Sequence, residues 1–155
     1  MIVSGGQTGV DRAALDWACG HRIPHGGWCP MGRRAEDGPL PWKYQMRMTE
    51  SSDYRPRTEY NVRDSDGTLI LNLGKLNSGT LATQSFAQKM NKPCLLVLLD
   101  SGVSREAVAS IHAWLREHRF KSLNVAGPRQ SKRPGIYRMS FDLLETVLSR
   151  CRHSL

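Results

Sequence analysis

Gly5-Gly6-Gln7-Thr8-Gly9 is the stretch whose residue types and spacing best suit chemistry. Its glycines allow backbone angles and close approaches that a side chain forbids. It follows Ile2 and Val3, good strand formers. It precedes Val10, Ala13, Ala14, Trp17 and Ala18, which fall at i, i+3, i+4, i+7 and i+8 and make one apolar helical face. Thr8 suits an N-cap, and Asp11, three residues on, echoes a capping box. Free N–H groups at such a helix start, together with the helix dipole, offer an anion a seat. The stretch therefore reads as a phosphate-binding turn between a strand and a helix. No Gly-Lys-Ser/Thr follows, so it is not a Walker A loop, and it lacks the full G-x-G-x-x-G spacing.

Three more stretches share this character. Gly74 to Thr80 is a second glycine-bearing strand-to-helix turn, with Thr80 placed to cap a helix lined by Ala82, Phe86, Ala87 and Met90. Pro30 to Lys43 is rich in Pro, Gly and charge, and a loop of that length in a compact domain is usually functional or disordered. It carries Arg33, Arg34, Glu36 and Asp37: two adjacent carboxylates beside two arginines, able to supply a general acid or base and an electrostatic clamp, or to pair with one another. Ala126 to Tyr137 is the third. Trp28 and Trp42 flank the arginine loop and are candidates to stack on a base.

The elements that must position these loops alternate. Short strands are expected at Met1–Ser4, Gly26–Cys29, Tyr44–Met48, Thr68–Leu73, Leu95–Leu99 and Ser122–Val125. Leu95–Leu99, continuously apolar, reads as a central strand covered on both faces. Helices are expected after Thr8, near Pro56 within Ser51–Arg63, after Thr80, from Ser104 to about Arg119, and after Ser140, the last with Phe141, Leu144, Val147, Leu148 and Cys151 inward. This alternation predicts one α/β domain over residues 1–155, with a mostly parallel central sheet and helices on both faces. Ligands in such sheets sit beyond the carboxyl ends of the strands, where all four loops would converge.

The chain is 155 residues long, 39% hydrophobic and 23% charged, ordinary for a soluble globular protein. No apolar run approaches transmembrane length, and the start shows no basic-then-apolar leader, so a cytoplasmic protein without membrane attachment is expected. The four cysteines, Cys19, Cys29, Cys94 and Cys151, and the five histidines have no metal-ligand spacing, so no metal site is expected and the thiols read as reduced. The net charge is +8, of which +6 falls after Asp100, and most of the basic residues are arginines. That surplus implies an anionic partner. A nucleic acid is the weaker candidate, because no aromatic platform interleaves the basic residues of the last third. A homo-oligomer stays open.

Taken together, Ser4-Gly-Gly-Gln-Thr-Gly-Val-Asp-Arg-Ala-Ala-Leu-Asp16, Cys29-Pro-Met-Gly-Arg-Arg-Ala-Glu-Asp-Gly38, Arg57-Thr58, Asn61-Val62, Asp64–Ile70, Ser78-Gly-Thr80, Thr83, Asn124–Arg129 and Pro134–Ile136 resemble a known family. It is the molybdenum carrier family, a circularly permuted YpsA branch of the SLOG superfamily, and the likeness runs through nearly the whole chain. The resemblance implies a Rossmann-like domain binding a nucleotide or nucleotide-derived anion, with molybdenum cofactor or a nucleotide as the bound group. By that likeness Gly5, Gly6, Gln7, Thr8 and Gly9 form a first phosphate loop, and Ser78, Gly79 and Thr80 a second. Arg33, Arg34, Glu36 and Asp37 cover the ligand, and Gly127, Pro128 and Arg129 close the far side. Asp11, Arg12, Arg57 and Asn61 join the binding set as motif positions.

In the cytokinin-activating phosphoribohydrolases of the same superfamily, a catalytic glutamate stands three residues after the Gly-Thr; here that position is Thr83. A binding or carrier module is therefore the leading expectation. The alternative is a nucleotide or N-glycosidic-bond hydrolase, whose carboxylate would come from Glu36 or Asp37 first, then Asp11 or Asp64.

Overall fold

The structure, a computed structural model, describes residues 1–149. Strands and helices follow in the order β1 (Ile2–Val3), α1 (Val10–Gly20), β2 (His25–Gly26), β3 (Trp28–Cys29), β4 (Arg47–Met48), α2 (Tyr54–Arg63), β5 (Gly67–Asn72), α3 (Ser78–Lys89), β6 (Cys94–Leu98), α4 (Arg105–His118), β7 (Leu123–Ala126) and α5 (Ile136–Leu148). Five strands build one parallel sheet in the order β2-β1-β7-β5-β6, while β3 and β4 pair in a separate parallel ribbon. This is the predicted α/β architecture, a Rossmann-like domain.

Helices cover both faces. Val10, Ala14 and Trp17 of α1, Ile111 and Trp114 of α4, and Leu143, Leu144 and Val147 of α5 share one core with Ile2, Leu69, Leu71, Val97 and Val125 of the sheet. Each such aliphatic side chain contributes about 1.5–3 kcal/mol through burial. On the other face α2 and α3 meet around Val62, Phe86 and Ala87. The chain leaves β1 for β2 in one direction and β5 for β6 in the other, with β7 between them. A crevice therefore opens at the carboxyl ends of these three strands.

Several elements differ from the sequence expectations, each for a tertiary reason. Leu95–Leu99 is not central. β6 lies at the sheet edge with Leu98 54% exposed, and the long strand buried at all six positions is β5. Gly26–Cys29 is split between two sheets by Gly27 at φ 134°. A Cβ there would stand 2.2 Å from the Ser4 carbonyl oxygen, so only glycine lets the chain pass β1 this closely. Of Tyr44–Met48 only Arg47–Met48 is strand; Tyr44 is buried and donates its hydroxyl to Asp16.

Helix starts shift in the same way. The N-cap of α1 is Gly9 rather than Thr8, and that of α3 is Asn77, whose Oδ1 accepts the Thr80 N–H at 2.9 Å. The final helix begins at Ile136, so Ser140 is buried within it, whereas Ser104 caps α4 as its sequence suggests. Cys19, Cys29 and Cys94 are free thiols, and Cys151 and His153 lie outside the described residues. No described helix is long and apolar enough to cross a membrane.

Candidate functional site

The loops after β1, β5 and β7, together with the start of α2, enclose a cleft of about 370 Å³. Its floor is Asp11, 1% exposed. The Asp11 Oδ2 accepts hydrogen bonds from Arg57 Nη1 at 3.2 Å and from the Gln7 N–H at 3.3 Å. Burial pushes this carboxyl up, the charges of Arg57 and Arg12 and the Gln7 hydrogen bond pull it down, and burial prevails. Arg57 reaches Asp11 across Gly5, where a Cβ would stand 1.9 Å from Arg57 Nη1. The glycine thus admits a guanidinium, which the local sequence does not reveal.

The remaining wall is electropositive and rich in donors. Arg57 and Arg129 both lie against the Tyr54 ring, 5.5 and 5.0 Å from its centroid, and Arg55 lies over Phe86 at 4.9 Å. At the opening turn of α3 the Asn77 carbonyl and side chain take the N–H groups of Leu81 and Thr80. Ser78 and Gly79 precede any intrahelical acceptor, and among the described residues no hydrogen bond takes their N–H groups, which lie at the positive end of the dipole. Gln7 Nε2, Arg57 Nε and Thr80 Oγ1 are buried and have no partner among the described residues, and all three residues line the cleft.

Gln7, Asp11, Arg57, Ser78, Gly79, Thr80, Gly127, Pro128 and Arg129 come together on this one cleft. The other candidates lie around it and bond to protein. Gly5, Gly6 and Gly9 shape the first loop without lining the cavity, and Thr8 links loops: its hydroxyl donates to Glu36 and accepts the Gln130 N–H at 3.1 Å. Arg12 forks onto Asp37 at 2.9 and 3.0 Å. Arg33 is 4% exposed and donates to the carbonyls of Leu40, Pro41 and Tyr44, holding its own loop. Arg34 donates to the Ser52 carbonyl, and Asn61 pairs with both backbone groups of Trp28.

The two loop carboxylates are ionised and engaged outside the cavity. For Glu36, burial raises the carboxyl, but hydrogen bonds from Ser131 and Thr8 outweigh it and hold the group below its usual 4.5. For Asp37 the Arg12 hydrogen bond dominates and lowers it below 3.8. Trp28 bonds to Asp64, and Trp42, 78% exposed, lies over Arg33, so neither borders the cleft. The sequence reading left Tyr54, Arg55, Thr58, Asn77, Thr83 and Lys132 out of its site set; all line the cavity. Tyr54 and Thr58 share one face of α2 at i, i+4, and Asn77 stands three residues before Thr80, signals visible only once the helix starts are known.

No curated protein matches the chain. A crystal structure from Syntrophus aciditrophicus SB, described as a "putative molybdenum carrier protein", is 51% identical to it, with 95% of this chain and 93% of that chain covered and a TM-score of 0.91. The model of the circularly permutated YpsA SLOG family matches residues 2–148. With glycine turns, parallel sheet and cleft all inside that match, the chain belongs to the circularly permutated YpsA SLOG family.

Proposed function

We propose that this chain binds and holds a phosphorylated, nucleotide-derived small molecule in the cleft between β1, β5 and β7. One observation carries the reading. Loops from residues 7–11, 77–80 and 126–129, far apart in the chain, converge on one cavity whose wall offers peptide N–H groups, guanidinium groups and unpartnered donors. Its volume of about 370 Å³ falls at the lower end of small-molecule pockets, about 300–1,000 Å³. The relative's description as a molybdenum carrier extends the reading to molybdenum cofactor as cargo. The residues suit the phosphate of such a pterin, which Thr80, the first turn of α3 and Arg57 would hold. Scanning fluorimetry against nucleotides and pterin phosphates tests the reading. A rise in melting temperature with at least one of them supports it; none at about millimolar ligand counts against it.

A second reading, hydrolysis of a nucleotide or its N-glycosidic bond, is favoured by Asp11. It is the one carboxylate bordering the cleft among the described residues, and burial holds its carboxyl above the ordinary value, which favours proton transfer over permanent ionisation. Chromatography of nucleotide mixtures after incubation separates the two readings. Turnover abolished in Asp11→Asn supports hydrolysis, and the absence of turnover by the unaltered protein removes it.

A further inference from the structure

The cleft holds more positive charge and more open donors than one phosphate requires. Arg55, Arg57, Arg129 and Lys132 line it against the single carboxylate of Asp11. Arg57 is matched by Asp11, and the other three cations form no ion pair among the described residues. Glu36 feels the charge of Arg129, but its oxygens are already taken by Thr8 and Ser131. Arg129 and Arg55 are braced on the rings of Tyr54 and Phe86, contacts that hold a guanidinium in place without neutralising it. A phosphomonoester brings a charge of about −1.5 to −2 at pH 7, and a second phosphoryl group adds at least one more.

The open donors fall into two groups on different elements. Thr80, 3% exposed, leaves Oγ1 without a partner beside the N–H groups of Ser78 and Gly79 at the start of α3. Gln7, 4% exposed, sits after β1. Its Oε1 accepts the N–H groups of Thr8 at 3.0 Å and Glu36 at 2.8 Å, which fixes the amide orientation and leaves Nε2 as a donor without a partner. The unpartnered Arg57 Nε belongs to the same side. Buried donors left open are costly, so a site that keeps several on two strands' loops is shaped for acceptors in two places.

We infer that the cleft is built for a ligand carrying two phosphoryl groups, one seated at Thr80 and the first turn of α3, the other at Gln7 and Arg57, with Arg129 and Lys132 offsetting the added charge. The inference rests on the reading of the cleft as a phosphorylated-ligand site and narrows it.

Isothermal titration at fixed ionic strength tests it with inorganic phosphate against pyrophosphate, and AMP against ADP and adenosine 3′,5′-bisphosphate. Each two-phosphate probe is expected to bind about tenfold more tightly than its one-phosphate counterpart. Whichever of ADP and the 3′,5′-bisphosphate binds better shows whether the phosphoryl groups are joined or separate. Gln7→Met and Thr80→Val are expected to shrink the ratio to about threefold or less, while Thr80→Ser, which keeps the hydroxyl, and Arg116→Ala, on the exposed side of α4, preserve it. Equal affinity for one- and two-phosphate probes overturns the inference and leaves the proposed function standing. A ratio that survives both Gln7→Met and Thr80→Val overturns it too, as unspecific charge attraction. No binding by any of these probes overturns the inference, and the proposed function then stands or falls on the wider panel of nucleotides and pterin phosphates.

Discussion

Glu36 clasps Ser131 twice, accepting its N–H at 3.2 Å and its hydroxyl at 2.5 Å across 95 residues of chain. The same carboxylate accepts the Thr8 hydroxyl, so one side chain ties together the loop after β1, the arginine-bearing loop and the loop after β7. That last loop carries Arg129 and Lys132 to the cleft. On the proposed function, Glu36 would serve as a positioning residue that acts through Ser131. Glu36→Ala is expected to lower ligand affinity several-fold while costing only about 1 kcal/mol of stability, the scale of an exposed charged hydrogen-bond cluster. Titration calorimetry beside urea denaturation checks the split; partial recovery of affinity in Glu36→Gln supports positioning.

The acid side of the stability curve follows from the same carboxylates. Glu36 and Asp37 are both held below their usual values of 4.5 and 3.8. A carboxyl lowered in the folded state contributes stability that is present above the unfolded value and lost as pH falls through the folded one. Their share of stability, read as the difference in denaturation midpoint between the unaltered protein and Glu36→Gln with Asp37→Asn, should therefore stay level from pH 6 to about pH 4 and then drop. In Glu36→Gln with Asp37→Asn the curve should start lower and fall less steeply.

Arg57 and Asp11 form a buried pair with side chains 12% and 2% exposed. Removing one partner of such a pair typically costs about 3–5 kcal/mol, because the other charge is stranded. Arg57→Met is expected to destabilise by that order at neutral pH. Without the cation Asp11 rises further, so its protonation on acidification removes the stranded charge and the deficit shrinks. Gly5→Ala is expected to produce the same behaviour, since its methyl group would take the place of Arg57 Nη1. A deficit independent of pH in both variants would show that the pair contributes nothing.

On the far side of α1, Asp16 accepts the hydroxyls of Tyr44 and Tyr137, the latter at 2.6 Å. Burial first, then these hydrogen bonds, push the Tyr137 phenol up to about 12 and Tyr44 up as well. A group raised on folding contributes stability that is full below its unfolded value and lost as pH rises through the folded one. Spectrophotometric titration should show Tyr44 and Tyr137 ionising late. Tyr137→Phe should cost about 1 kcal/mol below pH 9, and its stability should then fall less steeply as pH rises, because the phenol that titrates late is gone.

Asn77 caps α3 where the cleft needs a defined helix start. Asn77→Ala is expected to cost about 1 kcal/mol and to weaken binding of any phosphate-bearing probe more than Ser104→Ala, which removes an equivalent cap from α4, outside the cleft. Equal affinities in the two variants would place the ligand away from the start of α3.

What was legible in the sequence is what local physics sets. Glycine turns after short β-branched strands, and apolar faces at helical spacing such as Val10, Ala14 and Trp17, were enough for an α/β alternation and for the loops that meet at the strand ends. The motif string from Ser4 to Ile136 was enough for the family. Tertiary structure decided the rest, because it depends on partners distant in the chain. Arg33 and Arg57 are alike as sequence, yet one is bound to the carbonyls of Leu40, Pro41 and Tyr44 and the other reaches a cleft through space left by Gly5. The apolar run at β6 does not state its place in the sheet, since strand order follows from which crossover packs on which face. A residue's type sets which bonds it can form; the fold sets which partner arrives first, and so which charges remain for a ligand.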